Sequence, residues 1–184
     1  ASLTPRLVDA HIPSQEELRK VLNIADARAR TAIGLIAFSG LREEVLSSYT
    51  GDYGLRFKDL PEVKIENDKL VFVKIPTMIR VPGQFSKTGK PYFTFLGPEG
   101  CDYLAAYFQE RVNKGEKITA DGPVITPRYR DMKFMRTLNL GDLIRKPMRA
   151  AGLKEPPNIW RSYFASRAML AEAKGLLRDY RQFF

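Results

Sequence analysis

The sequence predicts an α+β domain, mostly helical, with one small antiparallel three-stranded sheet. Three observations carry that expectation. Apolar residues recur at helical spacing between positions 14 and 48. From 55 to 96 the period changes, and branched and aromatic residues alternate with turn signals. Helical spacing then returns at Cys101 and again beyond Asn139. Helical and strand-forming stretches are therefore segregated along the chain, the pattern of α+β rather than alternating α/β folds.

Residues 1–13 read as an N-terminal arm and residues 14–184 as one domain. Ser14-Gln15-Glu16-Glu17 is a capping box, with serine at the N-cap and glutamate three positions on. The helix it opens carries Leu18, Val21, Leu22 and Ala25 on one face and should run to about Arg28. A second helix from about Arg30 is apolar almost all round, so it should be buried, and Gly40 should end it in a left-handed cap. Residues 42–48 read as a further short helix. Strands are expected at 55–57, 70–75 and 92–96, with Pro82-Gly83 and Thr88-Gly89 marking the connection between the last two. Cys101, Leu104, Ala105, Phe108 and Val112 share a helical face. Residues 114–137 form a polar, proline-containing connector with no assignment. Helices resume at 140–151, 158–173 and 176–184.

At 184 residues the chain suits one domain with a sizeable core. Its 44% hydrophobic share argues for a folded globule over a disordered tail. The longest apolar run, 32–38, is far shorter than a membrane span, so no membrane partner is expected. No signal-peptide pattern opens the chain. The single Cys101 excludes an internal disulfide and fits a reducing compartment. His11 is the only histidine, and the acidic residues show no paired ligand spacing, so no metal or other cofactor is expected. No glycine-rich phosphate loop supports nucleotide hydrolysis. The net charge of +9, from 30 basic against 21 acidic residues, favours a polyanionic partner, either nucleic acid or an anionic membrane face.

Two arginines and a lysine, far apart in the chain, carry the chemistry. Arg42 follows Ser39-Gly40-Leu41, directly after the apolar helix. A guanidinium fixed there can clamp phosphate oxygens with two parallel hydrogen bonds, which lysine cannot do. The plain alternative is a solvated surface charge. Lys87 sits in the turn Ser86-Lys87-Thr88-Gly89-Lys90, where the plain alternative is an ordinary hairpin tip. Asn158 and Arg161 are one helical turn apart and face the same way. Trp160 and Phe164, between and beyond them, read as core packing rather than base stacking.

In this order the stretches resemble the catalytic domain of tyrosine recombinases, the phage-integrase family. Gly40-Leu41-Arg42 matches that family's glycine, apolar residue and catalytic arginine. Ser86-Lys87-Thr88-Gly89 is similar to its hairpin bearing a general-acid lysine, with Lys90 in reserve as the acid or as a DNA contact. Arg161-Ser162-Tyr163-Phe164-Ala165-Ser166 is similar to the helix after its His-x-x-Arg motif. The resemblance implies that Arg42 and Arg161 stabilise a pentavalent phosphorane-like transition state. Lys87 would protonate the leaving 5′ oxygen, a role that alkoxide departure requires of some acid. Asn158 stands where the family mostly places histidine; it can donate a hydrogen bond to a phosphoryl oxygen but carries neither proton nor charge. Val45 stands where the family usually has an acid, and Glu43 and Glu44 lie nearby instead. The asparagine fits a likeness to divergent integrases of archaeal viruses and other mobile elements.

Residues 176–184 resemble the family's next helix, so a Gly-His pair and the tyrosine nucleophile are expected beyond Phe184. Tyr180 is expected to be a packing residue, and Tyr163, two residues past Arg161, is unsuited to be the nucleophile. About 40 residues precede Arg42, too few for the family's separate core-binding domain. The implied function is site-specific DNA recombination through a 3′-phosphotyrosyl link, with this chain as an inactive catalytic-domain fragment. Double-stranded DNA is the implied partner, with a monomer in solution and a tetramer on DNA when full length. The implied location is the cytoplasm, that of the host for a virus- or plasmid-borne element. A non-catalytic DNA-binding module is the alternative, and a type IB topoisomerase-like enzyme a third.

Overall fold

Ser14 caps α1 (Gln15–Ile24) as its spacing requires: its hydroxyl accepts from the Glu17 amide at 3.1 Å, and the Glu17 carboxylate accepts from the Ser14 amide at 3.0 Å. The structure, a computed structural model, describes residues 11–128 and 133–174. α1 stops short of its expected end near Arg28 because Asp26 starts a new helix, its carboxylate accepting from the Ala29 amide at 2.8 Å. Arg30, one turn into α2 (Ala27–Ser39), reaches back to the carbonyls of Leu22 and Ala25 at 2.8 and 2.9 Å. Those acceptors belong to the end of α1 and would otherwise lack helical partners. The two helices are thus joined by a capped break.

α2 is buried on every side, from Ala29 to Ser39, as its all-round apolar pattern requires. It packs against α4 (Pro98–Asn113), α5 (Thr137–Ala150) and α6 (Ile159–Ala173), and is the centre of the core. Gly40 ends it at φ 73°, in the left-handed region, donating its amide to the Ile36 carbonyl at 2.9 Å. Leu41 follows fully buried, and the short α3 (Glu43–Leu46) runs into β1 (Ser47–Ser48).

The class is α+β as expected, but the strands divide differently. β2 (Val63–Glu66) pairs with β3 (Lys69–Phe72), and β4 (Thr77–Val81) with β5 (Tyr92–Leu96), both antiparallel. β1 pairs in parallel with β6 (Met135–Arg136). Among the described residues there is no single three-stranded sheet. Asn67 and Asp68 explain the first hairpin: both take positive φ, 51° and 59°, the geometry of a two-residue hairpin loop that Asn and Asp tolerate. The strand expected at 70–75 ends at Phe72, and a separate strand resumes after Pro76. The strand expected at 55–57 is an isolated bridge, Arg56 with Pro123, followed by a 3-10 turn at Phe57–Asp59. The Asp59 carboxylate accepts the Arg56 amide at 2.8 Å and so closes that turn in place of a ladder bond.

The unassigned connector lies on the core. Val124, Ile125 and Phe134 are buried. Arg111 is buried too, bonded to the Glu116 carboxylate at 2.9 Å and to the Pro123 carbonyl at 2.8 Å. The β1–β6 pair then delivers the chain to α5, which begins at Thr137, ahead of the expected start after Asn139. Trp160 and Phe164 are core residues, as expected. The helix expected over 176–184, Tyr180 with it, and positions 1–10 of the arm lie outside the described residues.

Candidate functional site

Arg42 owes its place to the three residues before it. α2 is locked into the core, Gly40 turns the chain, and Leu41 anchors it, so Arg42 leaves in extended conformation (φ −80°, ψ 154°) at the start of α3. Its guanidinium is half-buried and makes no hydrogen bond or ion pair among the described residues. Arg161 lies in the first turn of α6, next to the buried Ile159 and Trp160. Its Nε donates to the Gly40 carbonyl at 3.1 Å, a contact spanning 121 positions of sequence. That bond ties the two arginine motifs together and leaves the terminal nitrogens of Arg161 without a protein partner among the described residues.

Both arginines line a concave pocket of about 380 Å³, together with Asn158, Arg145, Glu43 and Glu44. Burial lowers the Arg161 pKa from its ordinary value, and the like charge of Arg42 lowers it further; Tyr92 and Glu44 oppose both. Two like charges held together in a half-buried site destabilise the fold unless an anion neutralises them. A phosphate diester, with two non-bridging oxygens, is the shape that paired guanidinium forks recognise. The Glu43 carboxyl is raised, chiefly by burial and then by Glu44, with Arg145 opposing. Its Oε1 is buried without a hydrogen-bond partner.

Asn158, the residue before α6, is exposed and its side chain makes no capping bond, so its amide is available to the pocket it lines with Arg161. Lys87 and Lys90 are placed otherwise. Both are exposed on the turn between β4 and β5, and neither is a wall residue of the pocket. The base of that hairpin does reach the arginines: burial raises the Tyr92 hydroxyl, while the positive charges of Arg161 and Arg42 draw it down. The turn itself is tightly built. A Cβ on Gly83 would stand 2.5 Å from the Gly89 carbonyl, and Phe85 stacks on Tyr53 with centroids 5.4 Å apart. The hairpin is rooted beside the pocket, and its lysines are exposed at the turn. Of the three cations, Arg42 and Arg161 line one pocket, and Lys87 is exposed on the turn between β4 and β5.

Sequence reasoning missed Arg145 and Tyr92, and named Glu43 only as an acid near Arg42. Arg145 adjoins Ile144, on the margin of the buried face that Leu140, Ile144 and Met148 give α5. Nothing in that spacing separates it from an ordinary solvated arginine. Among the described residues, no three His, Cys, Asp or Glu side chains cluster as a metal site requires.

The sequence matches no protein-family profile and no curated protein. The structure does have counterparts. The XerA recombinase structure superposes with TM-score 0.60 at 20% identity, over 88% of this chain and 50% of that one. The chain has the fold of the tyrosine-recombinase catalytic domain. The integrase of mycobacterium phage Brujita (TM-score 0.58, 17% identity, 89% and 45% covered) shares this recombinase fold. So does the XerH site-specific recombinase bound to its difH substrate, a pre-cleavage complex (0.57, 21%, 89% and 43%). The chain spans about half the length of each of these recombinases.

Proposed function

We propose that this chain is the catalytic domain of a site-specific DNA recombinase or integrase, acting on double-stranded DNA through a 3′-phosphotyrosyl intermediate. The observation that carries the reading is the Arg161–Gly40 bond, which brings two guanidinium groups with donors to spare from remote motifs to one pocket on a recombinase fold. In this mechanism a tyrosine oxygen attacks the scissile phosphorus, the bond to the 5′ oxygen breaks, and a proton restores that oxygen to a hydroxyl. Arg42 and Arg161 bind the non-bridging oxygens, whose charge grows in the transition state. The Asn158 amide donates to one of them. Lys87 delivers the proton, and since it stands outside the pocket lining, the β4–β5 turn must approach the pocket on bound DNA.

The test uses the protein expressed from its full reading frame on a nicked suicide duplex. Arg42→Ala should cut the rate of covalent adduct formation by about two to three decades, the usual effect of removing one transition-state donor, with the fold unchanged by circular dichroism. An undiminished adduct rate refutes the assignment.

A second reading is favoured by Asn158, which supplies no charge or proton, and by the solvent position of Lys87. In it the chain is a DNA-binding module that kept the fold and does no chemistry. Both readings require phosphate-dominated DNA binding, with a log–log salt slope near −0.9 per phosphate neutralised. Adduct formation by the full-length protein separates them.

A further inference from the structure

Arg145 lines the same pocket as Arg42, Asn158 and Arg161, yet it comes from α5, which carries neither arginine motif. Among the described residues its guanidinium is tethered at one point: Nη2 donates to the Asp142 carboxylate, three residues back on the same helix, at 2.8 Å. Both partners are substantially exposed, 37% and 68%, and exposed pairs of this kind hold a side chain weakly. Glu43 shares the pocket but makes no ion pair with it among the described residues. The guanidinium lies over Gly141, where an added Cβ would come within 3.1 Å of Nη2 and 3.2 Å of Nη1. A glycine at this buried helix position leaves the space that the group occupies.

We propose that Arg145 is a third phosphate-binding guanidinium of the pocket, supplying from α5 the positive charge that Asn158 cannot supply from α6. The proposal rests on the phosphodiester reading of the site. A diester carries one negative charge in the ground state and gains a second as the phosphorus becomes five-coordinate. Arg42 and Arg161 equal that charge in number, but Glu43 and Glu44 line the same pocket and offset it, so a further cation is needed. Arg145 answers it with a group that is permanently charged and has donors left over after its bond to Asp142.

Orthophosphate titrated calorimetrically into the 184-residue chain, at low ionic strength and a pH where the dianion dominates, tests this. Arg145→Gln should weaken binding by about tenfold or more, the usual loss for a charged hydrogen bond. Arg145→Lys should recover part of the loss, since it restores charge without the fork, and Asp142→Asn should tighten binding by freeing the guanidinium. Arg42→Ala is the control for the pocket. Should Arg145→Gln bind as tightly as the unaltered chain while Arg42→Ala does not, Arg145 is an ordinary surface residue and the inference falls alone. Absence of binding to the unaltered chain, or equal binding by every variant, removes the phosphate reading and the inference together. If Arg145→Gln unfolds the chain, the other two substitutions decide: weaker binding for the lysine and tighter for the asparagine uphold the proposal, and no change in either overturns it.

Discussion

Replacing Arg161 with lysine keeps the charge and removes the geometry, so it isolates what the Nε bond does. The Gly40 carbonyl that Nε reaches is buried at the end of α2. A single ammonium cannot both satisfy that carbonyl and present two parallel donors to phosphate. Leaving a buried acceptor unpaired costs about 1–3 kcal/mol, which for a domain of this size lowers the melting temperature by about 2–12 °C. Thermal unfolding followed by circular dichroism measures that loss. On the full-length protein, Arg161→Lys should retain most of its affinity for duplex DNA at low salt and lose about two decades in adduct formation. A variant with unchanged melting temperature and unchanged adduct rate would show that the Gly40 contact neither holds the fold nor orients the guanidinium, and the site assembly argued from it would fail.

Two further outcomes follow from the same neighbourhood. Burial raises the Glu43 carboxyl, so its ionised form destabilises the fold at neutral pH and its protonated form does not. Glu43→Gln should therefore gain stability above the raised pKa, and the gain should vanish as pH falls below the ordinary glutamate value of 4.5; urea denaturation at a series of pH values reads the difference, and a pH-independent gain contradicts the assignment. Gly83→Ala should force the β4–β5 turn apart, because the clash is with the Gly89 backbone rather than a flexible side chain. The expected cost is about 1–3 kcal/mol, with faster hydrogen exchange at the Ser86 and Gly89 amides, whose acceptors lie within the turn; unchanged exchange there argues against a preformed hairpin.

Much of the helical architecture was legible, and where it was misread the signal was usually present. The Ser14 capping box, the all-round apolar α2 and the Gly40 cap stand as their local patterns demand. Asp26 was a readable N-cap that would have split the first helix at the right place, and Asn67-Asp68 a readable hairpin loop. The 55–57 stretch misled because its branched and aromatic residues serve a bridge and a 3-10 turn against the connector, a packing preference that β-propensity does not separate from strand pairing. At the site, Arg42, Asn158 and Arg161 were named from motif position. Arg145 was not, since a helix-margin arginine has no local mark of its surroundings.

The sequence by itself determined which stretches are helical, which of them is buried on all sides, and which motif arginines leave rigid points of the backbone. Those are decisions made between residues a few positions apart, by capping bonds and by the period of apolar side chains. Only the tertiary structure decided that Arg161 bonds to Gly40, that Arg145 joins the pocket, and that Lys87 stays on a solvent-facing turn beside it. Each of these depends on how α5, α6 and the β4–β5 hairpin pack around α2, and contacts across so many residues are set by side-chain volume and the shape of the whole core, which no local pattern encodes.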